Sequence, residues 1–265
     1  MFQFVLTPAA GKRLIAKAAV IHPSIEAAIH SGTIVVVAGT TNGYIAEELL
    51  NQLKQAEGFH RNRFLRGVTV PPHVNVDEFG RLPDESQFLG DVVIQNGIWQ
   101  KGKTIFDVVD NLKDGDVIVK GANCVDLKKK RAGVLIGHPK GGTIAVALQA
   151  VIGRRVKLLI PAGVEKRVSD DIDTIAANLN SPGCTGLRLM SVPGEIVTEI
   201  EAIHLLAGAN AMLVAAGGVC GAEGAVRFAI DGARNQIEKA KKLLEEVASE
   251  PPFSLEIITG KSQPV

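Results

Sequence analysis

Three short runs, "TIVVVAG" (33–39), "DVIVKGA" (116–122) and "VKLLIPAG" (156–163), are apolar at nearly every interior position and close on glycine. A strand with one wet face alternates polar and apolar side chains, so a run without that alternation is covered on both faces. Runs of this kind restrict the chain to a layered arrangement in which helices sandwich a parallel sheet. The helices are there to be read. "PAAGKRLIAKAAVI" is an amphipathic helix stopped by Pro23, and "PSIEAAIHSG" a second, opened by proline and closed by Gly32. Strand Thr33–Ala38 leads to a helix from about Tyr44 to Gln55. "RGVTV" (66–70) is another candidate strand, followed by a loop through "NVDEFGRLPDESQ". "DVVIQNGIWQK" carries the Asn96-Gly97 signature of a hairpin turn. "TIFDVVDNLKDG" is a short helix, and "AGVLIGHPKGG" leads into a helix through "TIAVALQAVIG". Strand–helix alternation over 33–163 predicts an α/β core with a Rossmann-like parallel sheet and helices on both faces.

The pattern changes near "NLNSPGCTG" (178–186). Beyond it the sequence reads strand 187–192, helix 195–207, strands 211–217 and 224–230, helix 233–248 and strand 253–258. That βαββαβ order predicts a C-terminal ferredoxin-like α+β lobe. The expected organisation is a ligand-binding core over 1–180, the second lobe over 187–258 and a tail over 259–265.

Charge excludes some partners. The 29 basic and 28 acidic side chains leave a formal net charge of +1, so no overall field favours nucleic acid or an anionic membrane. The one basic run, Lys128 to Arg131, reads as a solvated loop. Three dispersed cysteines and six scattered histidines show no metal-ligand spacing, so no metal or cofactor is expected. No apolar run approaches membrane-spanning length, and the N-terminus lacks the order of a signal peptide. A cytoplasmic protein is expected, with an Ala/Gly-rich second lobe compatible with a homo-oligomer.

Ligands of parallel α/β sheets sit beyond the carboxyl ends of the strands. "AGTTNG" (38–43) is one such end. Gly39 and Gly43 permit close backbone approach, and Thr40, Thr41 and Asn42 place polar donors at the positive end of the next helix, a setting suited to phosphate or carboxylate. The alternative is a plain helix cap. Three further segments join it: Lys120, Gly121 and Asn123 in "VKGANCVD", Lys140, Gly141, Gly142 and Thr143 in "GHPKGGT", and Lys166 in "IPAGVEK". Neither Walker-loop nor GxGxxG spacing is present, which disfavours a P-loop or dinucleotide fingerprint.

Taken together these segments resemble type A ribose-5-phosphate isomerase, within the group that includes glucosamine-6-phosphate deaminase, coenzyme A transferases and sugar-operon repressor effector domains. "AGTTNG" stands where that family has a strand followed by a "GTGST"-like loop. "DVIVKGANCVD" (116–126) stands for its "DVxxDGADEVD", "KGGTIAVALQA" (140–150) for its "KGGGAxLxxEK", and "SVPGEIV" (191–197) echoes the entry to its second lobe. The resemblance is collinear over roughly 33–235 and implies a pocket for a small anionic, sugar-phosphate-like metabolite. The departures fall on the chemistry. Lys120 and Asn123 replace acidic residues, and Gln149 replaces the glutamate base on the helix after the glycines. An amide cannot shuttle a proton between carbons. The implied protein binds such a metabolite without being a true isomerase. The alternatives are a non-catalytic sensor or assembly protein, and an isomerase with a relocated base, for which Asp126 and Glu165 are the candidates. Lys120, Lys140 and Lys166 are expected to converge. Cys124 and His138 read as a buried thiol and a loop hydrogen-bonder, Glu195 and Glu199 as first-turn acids of a helix, and 215–226 as a hairpin.

Overall fold

The computed structural model describes residues 1–66, 69–71 and 90–254. In chain order the strands and helices are β1 Phe2–Leu6, α1 Pro8–Val20, α2 Pro23–Ala28, β2 Thr33–Val36, α3 Thr40–Gln52, β3 Val92–Gln95, β4 Ile98–Trp99, α4 Ile105–Val108, β5 Val117–Val119 and β6 Cys124–Asp126. There follow β7 Arg131–Ile136, α5 Gly142–Arg154, β8 Lys157–Pro161, α6 Ile172–Leu179, β9 Arg188–Val192, β10 Glu195–Val197, α7 Glu199–Ala207, β11 Asn210–Ala216, β12 Val226–Asp231 and α8 Arg234–Ala248. The result is a mixed α/β fold with three sheets.

The largest sheet has six strands in the order β10-β8-β5-β2-β3-β4. β10, β8, β5 and β2 run parallel, while β3 and β4 turn back antiparallel through Asn96 and Gly97, both at positive φ. The unalternating runs are covered on both faces. Ile34 and Val36 face one core with Tyr44, Ile45 and Leu49 of α3; Val35 and Val37 face the other with Ile144 and Ala147 of α5. Full burial of each such aliphatic side chain contributes about 1.5–3 kcal/mol, which makes β2 and β5 the natural centre of the sheet.

Two smaller antiparallel sheets complete the fold. β6, β7 and β9 form one, backed by α6 through Cys124, Ile172, Ala176 and Leu189. β1, β12 and β11 form the other, packed on α1, α7 and α8 around Phe228, Leu14, Ile203 and Leu244. Several strand assignments differ from the sequence expectation. "AGVLIG" does not join the parallel sheet: β7 pairs with β9, so segment 187–192 lies apart from β11 and β12. Glu195 belongs to edge strand β10 rather than to a helix, because Thr198 and Glu201 form a capping box that starts α7 at Glu199. The third partner in the β11–β12 sheet is β1 from the other end of the chain. Residues 253 and 254 are not in a strand, and the rest of segment 253–258, the tail 259–265 and the segment expected as a loop, "NVDEFGRLPDESQ", lie outside the described residues. Arg66, Thr69 and Val70 of "RGVTV" are not in a strand, and its other two residues are likewise outside the described set.

Candidate functional site

β2 ends beside β5, and the chain enters α3 at once. Thr40 to Gly43 form the first turn of α3, four residues earlier than the sequence suggested, with Gly39 as N-cap. No side chain caps this end. The Gly43 amide donates to Gly39 O at 2.8 Å, while the amides of Thr40, Thr41 and Asn42 have no acceptor among the described residues. Three free amides and the helix dipole make such an end receptive to an anion. Thr41 and Asn42 are 3% and 1% exposed, yet Thr41 Oγ1 and Asn42 Oδ1 have no hydrogen-bond partner among the described residues. Buried polar atoms of this kind are rare in folded proteins and mark a place where something else bonds. Asn42 is not the free amide donor that the sequence suggested. Its Nδ2 donates to Val37 O (2.6 Å) and Val119 O (3.1 Å), stitching the ends of β2 and β5. Only its oxygen is left over. A Cβ on Gly39 would meet nothing within 4 Å, and one on Gly121 would reach 3.9 Å from Asn42 Oδ1, so both glycines leave the approach open.

This turn is one wall of a cavity of about 300 Å³ whose other walls include Lys12, Lys120, Gly121, Glu165 and Lys166. A second cavity, about 480 Å³, lies beside it and is lined by Lys140, Gly141, Gly142 and Thr143 with Val134 and Ile144. Lys120, Asn123, Ala38 and Arg66 line both. Lys120 therefore shares one cavity with Lys166 and the other with Lys140. The three lysines do not meet in one cavity; Lys120 is the hinge between two pairs. Gly141 and Gly142 take positive φ in succession (79° and 62°), a turn that side-chain-bearing residues rarely adopt. It brings α5 in behind Lys140, again with no side-chain cap.

Lys120 and Lys166 are half-buried, while Lys140 is exposed. Lys166 Nζ donates to Ala122 O at 2.8 Å, and its pKa is lowered by burial first and by Lys12, against the opposing pull of Glu165 and Glu199. Among the described residues Lys120 Nζ makes only a 3.4 Å contact with Gly121 O. Burial, then Lys166 and Arg66, bring its pKa down to about 8, partly offset by Asp91. An anion entering the cavity would reverse these penalties by supplying the missing counter-charge.

The acids around the cleft are placed by helix geometry. Glu165 lies 3.9 Å from Lys12 Nζ and folds back over Gly163, where a Cβ would collide with it. Glu199, 1% exposed, accepts from the Val164 amide at 2.8 Å, and its carboxyl fills the space left by the missing side chain of Gly11. Burial, reinforced by the charge of Glu165, pushes the Glu199 pKa up. Sequence reading took Glu199 for a first-turn acid and missed this burial; the isolated glycine at position 11 in a helical pattern was the available signal. Asp91, also unanticipated, is fully buried and fixes the floor: its two oxygens accept from the amides of Ala38 (2.9 Å) and Ile105 (2.8 Å).

Other expected site residues lie elsewhere. Gln149 is exposed on α5 and lines neither cavity. Asp126 closes a turn, accepting from the amides of Lys128 and Lys129. Gly43 packs against Arg61 within α3 rather than facing the cleft. Asn123 lines both cavities, but its Oδ1 accepts from the Leu135 amide and secures β7. His138 Nδ1 accepts from the Lys140 amide, and burial raises the pKa of the Cys124 thiol. The basic run is spent internally: Lys129 pairs with Asp171, Lys130 with Glu201 and Arg131 with Asp173.

Among the described residues no cluster of His, Cys, Asp or Glu is arranged to hold a metal ion, and no helix is long and apolar enough to cross a membrane. Comparison with protein-family models, with curated proteins and with solved structures finds no match for this chain.

Proposed function

We propose that the cleft at the carboxyl ends of β2, β5 and β8 binds a small phosphorylated or carboxylated metabolite that also carries hydroxyl groups. The observation that carries this is the uncapped first turn of α3, with Thr41 Oγ1 and Asn42 Oδ1 buried and, among the described residues, unpartnered beside half-buried Lys120 and Lys166. The amides and lysines suit the anion, and Asn42 Oδ1, an acceptor only, suits a ligand hydroxyl. A sugar phosphate has both. The reading keeps the kinship drawn from sequence for the core, Rossmann-like and divergent from ribose-5-phosphate isomerase, with Lys120 and Asn123 where the isomerase has acids, while the expected ferredoxin-like lobe has β1 rather than segment 187–192 beside β12.

Calorimetric titration with ribose 5-phosphate and with inorganic phosphate tests it. Lys166→Met should weaken binding roughly 10- to 150-fold, the worth of a charge-assisted hydrogen bond, and Thr41→Val roughly 2- to 10-fold. No saturable binding of either ligand to the folded wild type, or full binding by both variants, would overturn the proposal. A second reading, an isomerase with a relocated base, is supported by Glu165 lining the cavity with Glu199 held toward its protonated form. Ribose 5-phosphate turnover above buffer background, lost in Glu165→Gln, would favour it.

A further inference from the structure

We propose that Lys120 is a nucleophilic amine that forms an imine with an aldehyde or ketone group of the ligand held in this cleft, a step that rests on the anion-binding reading above. Three features of its placement lead there. Lys120 stands on the wall common to both cavities, so a carbonyl in either can reach it. Among the described residues its Nζ is paired with no carboxylate and its one contact is the long one to Gly121 O, whereas Lys12 lies near Glu165 and Lys166 is bonded to Ala122 O. The acid whose charge it senses, Asp91, has both oxygens committed to backbone amides.

Among the described residues the charged groups acting on Lys120 are Lys166 and Arg66, both cationic, and Asp91. A lysine desolvated next to other cations is an established way to keep an amine unprotonated for covalent catalysis. With its pKa held near 8, about one Lys120 in ten is neutral at pH 7, against roughly one in three thousand for a lysine at the ordinary 10.5. The neutral nitrogen adds to the carbonyl carbon, the C=O π pair moves to oxygen, and that oxygen takes a proton. The nitrogen loses its extra proton. The hydroxyl of the resulting carbinolamine then leaves as water on protonation, and the nitrogen lone pair closes the C=N bond. Amine plus carbonyl gives imine plus water, with no redox change. Glu165, on the same cavity, is the carboxyl placed to carry these protons.

The probes are pyridoxal 5'-phosphate, which joins an aldehyde to a phosphate, and pyridoxal, which lacks the phosphate. Each imine is reduced with borohydride and located by peptide mass spectrometry. Lys120 should be modified roughly tenfold or more faster than the other lysines at pH 7. Its rate should level off above pH 8 while theirs continue to climb. Inorganic phosphate should slow the phosphorylated probe selectively, and Lys120→Arg, checked for folding by circular dichroism, should lose the fast phase. Equal rates for the two probes without phosphate protection would leave the amine standing and remove the anion site. Lys120 reacting no faster than other lysines with either probe would overturn the imine proposal, while calorimetry with phosphate reports separately on binding.

Discussion

Replacing Gly11 by alanine should destabilise this protein, although alanine is ordinarily the better helix residue. In an unencumbered helix interior the change gains as much as about 1 kcal/mol. Here the new Cβ would stand 2.3 Å from Glu199 Oε1, with Cδ and Cγ of the same side chain at 3.2 and 3.4 Å. The carboxyl has to swing aside, and its bond from the Val164 amide goes with it. Losing a hydrogen bond to a charged or buried acid and stranding the amide costs about 2–4 kcal/mol. The net is a destabilisation of about 1–3 kcal/mol. Trp99 is the only tryptophan and is buried, so its fluorescence follows urea unfolding directly. The midpoint should fall without a change in slope, and melting should drop by roughly 2–4 °C per kcal/mol. In a double-mutant cycle with Glu199→Ala the two changes should be less than additive, because alanine at 199 vacates the space. A Gly11→Ala protein as stable as the wild type, or more so, would refute the account of how α1 and α7 meet.

Three other outcomes follow from the same geometry. Glu199 holds its proton more tightly when folded than in the unfolded chain, so it subtracts stability as pH rises from its ordinary value of 4.5 upward. Glu199→Gln keeps an acceptor for Val164 and lacks the titration; its urea midpoint should gain on the wild type between pH 5 and pH 8, and parallel profiles would contradict this. Asn42→Asp replaces the amide that bonds Val37 O and Val119 O by a carboxylate oxygen, at a cost of at least about 3 kcal/mol, read as a lowered urea midpoint. Gln149→Glu should create no ribose 5-phosphate isomerase activity, since residue 149 faces solvent away from both cavities; measurable turnover would place α5 differently.

What could be read from sequence was whatever is encoded locally. The two-faced burial of "TIVVVAG" and the Asn96-Gly97 turn each depend on neighbours within a few residues. β1 was missed although "FQFVL" alternates in the strand period, its residues running half-buried, exposed, half-buried, exposed, buried. Pairings across long separations were not legible. Nothing in "AGVLIG" says that its partner is 188–192 rather than β5. The cleft was legible to the same degree. Its glycine turns and lysines announce themselves in the sequence, but Lys12 arrives from α1 and Arg66 from the segment that follows α3, and only packing brings them to Lys120. Polarity alone also misjudged Asn42, whose amide holds two strands together, because composition does not say which hydrogen bonds the backbone has already claimed.

The pairing of β1 with β12 bears on how the molecule comes off the ribosome. Residues 2–6 emerge well before their partners at 226–230, which follow more than two hundred residues later, an interval of roughly 10–45 s at ordinary elongation rates. Throughout that interval α1, attached directly to β1, can pack on α3, but its contacts with α7 and α8 must wait. The six-stranded sheet can close once β10 is made, while the small sheet cannot form until β12 has been made. Until then Phe2, Phe4 and Leu6 are an exposed apolar strand with nothing to pair with, the segment of the nascent chain with most need of a holding chaperone.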